Sequence, residues 1–297
     1  MFGGHLVDFP HRLAHPTVTR LVRKALPLYM VIMKLRLPFV KSDPTVAVVR
    51  LSGMISAQGR SALNDAGIGP VIEKAFAKGK PVAVALEINS PGGSPVQSSL
   101  IGARIRRLAV EKEVPVIAFV EDVAASGGYW LAAAADEIYA DPSSVVGSIG
   151  VISASFGVHE LIKEYGVERR VYTAGKSKSM LDPFRPENPE DVARLKALLE
   201  DIHTNFKDHV SERRAGKLPE DKDLFTGEFW LAKRAQELGL IDGIGHLLPV
   251  LKERFGEKVE IKRYGSRKGL LSRFGMQMLQ DATQSIEERA AYARFGL

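Results

Sequence analysis

Cysteine is absent from this chain of 297 residues. Its absence excludes a disulfide scaffold, a cysteine nucleophile and a zinc or iron–sulfur centre held by cysteines. Long apolar runs are also missing. No uninterrupted stretch reaches the ~18 residues that indicate a membrane-spanning helix, so we do not expect one. Hydrophobic residues make up 45% and charged residues 26% of the chain, as is typical of a globular protein.

Positive charge is concentrated at the N-terminus. Residues 1–42 contain seven Lys and Arg but one acid, Asp8, and this excess equals the net charge of +6 of the whole chain. The apolar stretch Ala25–Met33 in this arm is too short to cross a bilayer. Such an arm suits peripheral contact with an anionic membrane, or packing against the main domain. We therefore expect an arm (1–42), a main domain (43–260) and a basic linker with an amphipathic C-terminal helix (261–297).

Predicted strands and helices alternate after Pro44. Short apolar runs predict buried strands, and segments with helical spacing lie between them. The predicted strands are Val46–Leu51, Val82–Ile88 and Val114–Val120, and the predicted helices are Ile68–Phe76, Pro95–Val110 and Tyr129–Ala135. This alternation indicates an α/β fold with a mostly parallel sheet. Later helices are predicted over Glu190–Arg214, Phe229–Leu238, His246–Phe255 and Met276–Phe295, and short apolar pieces over Glu137–Ala140 and Ser148–Ile152.

Two glycine-rich turns directly follow predicted strands. They are Asn89-Ser90-Pro91-Gly92-Gly93 and Ala124-Ala125-Ser126-Gly127-Gly128. Backbone N–H groups in such turns are not shielded by a Cβ, and turns at the ends of neighbouring parallel strands can bring two donors side by side, as an oxyanion hole requires. Ser126 stands at the start of a helix, either as a nucleophile or as a helix N-cap.

A nucleophilic serine needs a base, and histidine is scarce where it would be needed. No histidine lies between Pro44 and Val158, so His159 is the candidate for a Ser-His pair, while His203 and His209 are expected on an exposed helix face. Lysine is the alternative base, but only where desolvation lowers its pKa enough to leave a neutral amine. Lys176 and Lys178 lie next to an apolar flank that could provide this environment.

Four motifs in order resemble those of the signal peptide peptidase A (SppA/SohB) serine peptidases. They are Ile88-Asn89-Ser90-Pro91-Gly92-Gly93, Ala125-Ser126-Gly127-Gly128-Tyr129, Gly147-Ser148-Ile149-Gly150-Val151, and Gly175-Lys176-Ser177-Lys178-Ser179 continuing to Pro183-Phe184. The similar region covers residues 44–254, so the arm and the C-terminal tail fall outside it. The resemblance implies a ClpP/crotonase-like fold of repeated ββα units with helical additions.

The same resemblance assigns a role to each matching residue. Ser126 falls on the nucleophile, and Lys178 on the general base, whereas Lys176 occupies a variable position. Ser148 falls on the serine that holds the lysine amine. Gly93 and Gly127 fall where backbone N–H groups form the oxyanion hole. This Ser/Lys dyad needs no metal and no cofactor.

The implied function is that of a serine endopeptidase acting on hydrophobic segments such as signal-peptide remnants. The resemblance also implies a homo-oligomer. Without a clear signal sequence we expect a cytoplasmic or peripheral inner-membrane location. Nucleic-acid binding would rest only on the charge of the arm, without any recognised module, so we expect no nucleic-acid partner. A crotonase-type acyl-CoA enzyme would normally use a glutamate acid or base, which neither glycine turn supplies directly. A non-catalytic membrane-associated scaffold, the other alternative, would not need both Ser126 and Lys178.

Overall fold

A computed structural model describes residues 43–58, 62–175, 177–265 and 288–297. Residues from Asp43 to Leu297 belong to one compact unit. The predicted N-terminal arm, Lys176 and most of the predicted C-terminal helix lie outside the described residues.

The described chain builds one sheet of eight strands. They are β1 (Thr45–Ser52), β2 (Ala83–Ser90), β3 (Val116–Ala125), β4 (Glu137–Ala140), β5 (Val145–Gly147), β6 (Phe229–Leu231), β7 (Gly243–Ile244) and β8 (Glu260–Tyr264). The main order is β6-β5-β3-β2-β1-β8, with β4 beside β3 and β7 beside β4. Every pairing is parallel except that of β5 with β6. The predicted α/β architecture with a mostly parallel sheet is confirmed.

Strand β3 occupies the centre of the sheet and leads directly to Ser126. Its first half pairs with β4, where Ile117 lies opposite Glu137, and its second half pairs with β5, where Val123 lies opposite Val145. Most of its side chains are buried, as expected for a strand covered on both faces. The backbone that enters the glycine turn is therefore held by neighbouring strands on both sides.

Helices cover both faces of the sheet. They are α1 (Asp65–Ala77), α2 (Pro95–Lys112), α3 (Gly127–Ala133), α4 (His159–Glu164), α5 (Pro189–Arg213), α6 (Ala232–Glu237) and α7 (Leu247–Phe255). The larger core cluster includes residues of α1, α2, α3, α5 and α6, whereas Leu251 of α7 packs in a smaller cluster with Val46 and Phe119. The long β3 strand thus joins two apolar layers.

Some predicted boundaries differ from the structure. The helix predicted over Phe229–Leu238 begins only at Ala232, because Phe229–Leu231 forms β6 and pairs with β5. Local helical spacing cannot reveal this pairing, since the partner strand lies some 85 residues earlier in the chain. The predicted domain limit at residue 260 falls at the start of β8, which pairs with β1 and so belongs to the sheet.

A buried ion pair ties α5 to the loop before β7. Arg214 is only 2% exposed, and its guanidinium donates 2.7 Å to Asp242 and 2.9 Å to the Gly239 carbonyl. Lys217 donates to the other Asp242 oxygen at 2.6 Å. Burial alone would raise the pKa of Asp242, but these hydrogen bonds outweigh it and lower that pKa.

We expect Arg214→Met to lower the free energy of unfolding by about 3 kcal/mol, because it leaves a partly buried carboxylate without its main partner. Lys217→Met is the matched control. It removes an outer partner from the same carboxylate and should cost under about 1 kcal/mol. Urea denaturation measures both values. If both substitutions lowered the free energy of unfolding equally, the burial of Arg214 would not be what makes its ion pair important for stability.

Candidate active site

The two glycine turns contact each other at the ends of β2 and β3. A Cβ on Gly92 would lie 2.8 Å from the Ala125 carbonyl oxygen. A Cβ on Gly128 would come inside 3.0 Å of the Ser90 carbonyl oxygen, closer than side chains are found in proteins. Ser90 reinforces the junction because its buried hydroxyl donates to the Gly53 carbonyl at 2.7 Å. Both turns therefore depend on residues without side chains.

Ser126 occupies a strained position between β3 and α3. Its φ of 52° is in the positive region that residues other than glycine rarely adopt. Its N–H donates to the Gly147 carbonyl at 2.8 Å, which fixes the turn to the end of β5. The side chain makes no capping hydrogen bond to α3. The structure therefore does not support the N-cap alternative, and Ser126 lines a cavity instead.

Gly93 and Gly127 both line this cavity. Ile55 and Gly93 form a parallel β-bridge, in which the Ile55 N–H donates to the Gly92 carbonyl and the Ser94 N–H donates to the Ile55 carbonyl. In such a bridge the N–H of the middle residue, Gly93, points away from Ile55. The Gly93 nitrogen lies 3.4 Å from the place where a Gly127 Cβ would be. The two glycines are therefore close neighbours, and their role as oxyanion-hole donors stays a prediction.

The cavity around Ser126 has a volume of about 570 Å³. Three further sequence-predicted residues line it: Gly93, Gly127 and Ser148. Much of the remaining lining is apolar, from Met54, Pro91, Pro95, Trp130, Val151, Ile152, Phe206 and Phe295. Within the described part of the chain, no Asp or Glu lines it. The acyl-CoA alternative, which would normally rely on a glutamate, therefore finds no such group here.

Ser148 lies across the cavity at the end of β5. Its φ is 53°, and its N–H donates to the Glu228 carbonyl at 2.6 Å, next to β6. Ser148 directly follows Gly147, whose carbonyl accepts the hydrogen bond from the Ser126 N–H. The end of β5 therefore holds both serines. Ser148 thus lines the same cavity as Ser126, and its expected role of holding the lysine amine stays a prediction.

Lys178 is not brought to Ser126 within a single chain. It lies in an exposed turn after Gly175 and is not among the residues that line the Ser126 cavity. The segment around it exposes large apolar side chains, among them Phe156 (87% exposed) and Tyr172 (90% exposed). The chain alone therefore does not provide the apolar surroundings that a lysine base needs.

Two histidines lie closer to the site than the sequence suggested. His203 lines the Ser126 cavity, with Nε2 3.2 Å from the Ile149 carbonyl, and His209 stacks on Trp130 at 4.5 Å between ring centroids. The predicted exposed face was wrong for both residues. The spacing of His203 with the buried Phe206 and Val210 along α5 was the available signal. His159, the candidate for the alternative Ser-His pair, does not line the cavity.

Across the described residues, no group of three or more His, Asp or Glu is placed to hold a metal ion. The same residues include no helix that is both long enough and apolar enough to span a membrane.

Comparison with known proteins places the chain in a family. The family model described as Peptidase family S49 matches residues 109–260. The chain is 33% identical over 242 residues to "Probable protease SohB" of Haemophilus influenzae, covering 81% of this chain and 67% of that protein. It is 32% identical over 210 residues to "Serine protease SPPA, chloroplastic" of Arabidopsis thaliana, covering 68% of this chain and 31% of that protein. The chain belongs to peptidase family S49.

Other matches are longer proteins or weaker likenesses. A Brucella melitensis protein named "Na(+)/H(+) antiporter NhaA" is 52% identical over 274 residues, covering 86% of this chain but 37% of that protein. The chain thus spans little more than a third of this relative. Among solved structures, a mutant of the 1510-N membrane-bound stomatin-specific protease gives a TM-score of 0.40 at 13% identity, covering 76% of this chain and all of that one.

Stability should depend on pH through His209. Burial lowers its pKa below 6.5, and the neighbouring Arg213 lowers it further. As pH falls, His209 is therefore protonated in the unfolded chain before it is protonated in the folded chain. The free energy of unfolding decreases as pH falls from 6.5 through the folded-state pKa of His209. We expect His209→Gln to flatten this decline in thermal unfolding. His159→Gln is the control, and if it flattened the decline equally, His209 would not be the group responsible.

Proposed function

We propose that this chain is a serine endopeptidase in which Ser126 attacks the peptide carbonyl. The observation that carries the proposal is the Ser126 hydroxyl, free of a capping bond, in one cavity with Gly93 and Gly127. As the serine oxygen attacks, negative charge develops on the carbonyl oxygen. In this proposal the backbone N–H groups of Gly93 and Gly127 stabilise that charge as oxyanion-hole donors.

In this proposal Lys178 is the general base, supplied by a second copy of the chain. Lys178 is exposed and outside the Ser126 cavity of its own chain, and it lies in a segment that exposes Phe156 and Tyr172. Association through that segment would bury the apolar side chains and desolvate the amine together. Neutral Lys178 would then take the Ser126 proton, return it to the leaving amine and activate the hydrolytic water.

The lining of the cavity supports peptides with apolar side chains as substrates. Trp130 and Phe206 form an aromatic pair 5.1 Å apart, and Met54 and Val151 add aliphatic surface. Burial of a substrate side chain on such surface contributes roughly 25 cal/mol per Å² of apolar area. Hydrophobic segments, including signal-peptide remnants, are the substrate class that this supports.

Ser126→Ala and Lys178→Ala should each abolish hydrolysis of a quenched apolar peptide, because nucleophile and base act as one unit. Ser148→Ala should retain partial activity, since that side chain orients the amine without exchanging the essential proton. Lys176→Ala is the matched control for Lys178 and should retain most activity. An inactive Lys176→Ala protein beside an active Lys178→Ala protein would reverse the assignment of the base.

Mixing the two inactive variants tests whether the dyad forms between copies. If one copy supplies Ser126 and its neighbour supplies Lys178, oligomers that combine Ser126→Ala with Lys178→Ala chains contain some complete sites. Activity should therefore return after mixing and subunit exchange, towards about a quarter of the wild-type value at random assortment. A mixture without activity, despite proven exchange, would place both residues of each dyad in one chain.

We also propose that residues 1–42 bind anionic membranes peripherally. Each base near such a surface contributes on the order of 1 kcal/mol, and apolar residues in the arm add to this. The full chain should sediment with anionic vesicles at low salt and be released at high salt. A chain beginning at Ser42 should stay in the supernatant and still hydrolyse a soluble peptide. If both chains partition alike, the arm does not bind membrane.

A further inference from the structure

Arg294 is the one permanently charged residue of the described chain that lines the Ser126 cavity. The other lining residues are apolar, small or hydroxyl-bearing, apart from His203. A guanidinium in a site without a neighbouring carboxylate provides several hydrogen-bond donors and a charge that a bound carboxylate would match.

The segment that carries Arg294 is attached to the strand ends of the active site. Tyr292 donates its hydroxyl proton to the Asn89 carbonyl at 2.8 Å, just before the first glycine turn. The Phe295 ring meets the edge of Phe229 of β6 at 5.1 Å between centroids. Tyr292 and Phe295 also pack against a cluster formed by Val123, Ala125 and Val145. Residues 288–297 therefore form part of the cavity wall.

Tyr292, which attaches this segment to Asn89, keeps its hydroxyl proton at physiological pH. Burial, together with the nearby Glu288 carboxylate, raises the pKa of Tyr292 to about 12. Tyr292 remains a neutral donor to the Asn89 carbonyl over the whole range in which a peptidase would be assayed. Titration of Tyr292 therefore does not break this hydrogen bond in that range.

The Arg294 guanidinium remains accessible for a ligand. The residue is exposed, and its guanidinium carbon lies 6.0 Å from the centroid of the adjacent Phe295 ring. Within the described residues it makes no ion pair. A guanidinium presents several N–H donors in one plane, and a carboxylate can accept two of them.

We propose that Arg294 is a specificity-determining residue that pairs with a carboxylate of the peptide bound beside Ser126. The carboxylate belongs either to an acidic side chain near the scissile bond or to the free C-terminus of the peptide. This inference rests on the proposed peptidase function. It adds a preference for a carboxylate to the proposed preference for substrate peptides with apolar side chains.

Matched peptides test the proposal. One apolar quenched peptide is made with Glu, Gln or Lys in turn at each position within three residues of the cleaved bond. The parent peptide is also made as a C-terminal acid and as an amide. The wild-type protein should favour one carboxylate over its neutral counterpart by about 5-fold in kcat/KM. A preference at an internal Glu identifies a side chain, and a preference for the acid over the amide identifies the terminus.

Substitutions at two arginines of the same segment distinguish a direct contact between Arg294 and the peptide carboxylate from an effect of the net charge of the protein. Arg294→Ala should remove the preference, so that the matched acidic and neutral peptides have equal kcat/KM, and Arg294→Glu should reverse it towards Lys or the amide. Arg289→Glu is the control, because Arg289 changes the charge equally but lies outside the Ser126 cavity.

Three results would contradict this account in distinguishable ways. A wild-type protein that hydrolyses all peptides equally would overturn the role of Arg294 alone. Equal effects of Arg289→Glu and Arg294→Glu would also overturn it, since the preference would then come from net charge. A wild-type protein that hydrolyses none of the peptides would instead contradict the proposed peptidase function.

Discussion

The contact between the two glycine turns is the constraint on which the site depends. Gly92 and Gly128 lie where a Cβ would strike the backbone of the opposite turn, so β2 and β3 can end side by side only with these residues. This approach places Gly93 next to Gly127 and leaves Ser126 at a positive φ. Such a conformation costs about 1–3 kcal/mol, which the surrounding sheet must offset. The long β3 strand, paired along both halves, provides that support.

Much of the fold could be predicted from the sequence because its signals are local. The strand before Ser90, the strand before Ser126 and the helices between them follow from apolar periodicity and glycine placement. Strand β6 was missed because its pairing with β5 is a distant contact. Strand β8 was likewise cut off, since its five residues carry several charges and become a strand only against β1.

The candidate site shows the same division between local and distant information. Ser126, Gly93, Gly127 and Ser148 each follow a strand, and the sheet gathers them in one cavity as the sequence indicated. Lys178 follows no strand of the sheet, and a single chain leaves it exposed and outside the cavity. The contributions of His203 and the C-terminal segment depend on packing between remote parts of the chain, which no motif near Ser126 could reveal.

The proposed activity depends on Ser126 being an activated nucleophile. The most direct measurement is covalent labelling of the full chain with a fluorophosphonate, followed by digestion and mass spectrometry of the modified peptide. The account predicts one adduct on the peptide that contains Ser126, and no adduct in the Ser126→Ala protein. An adduct on Ser148 or another serine, or no adduct on folded protein under conditions of active hydrolysis, would contradict it.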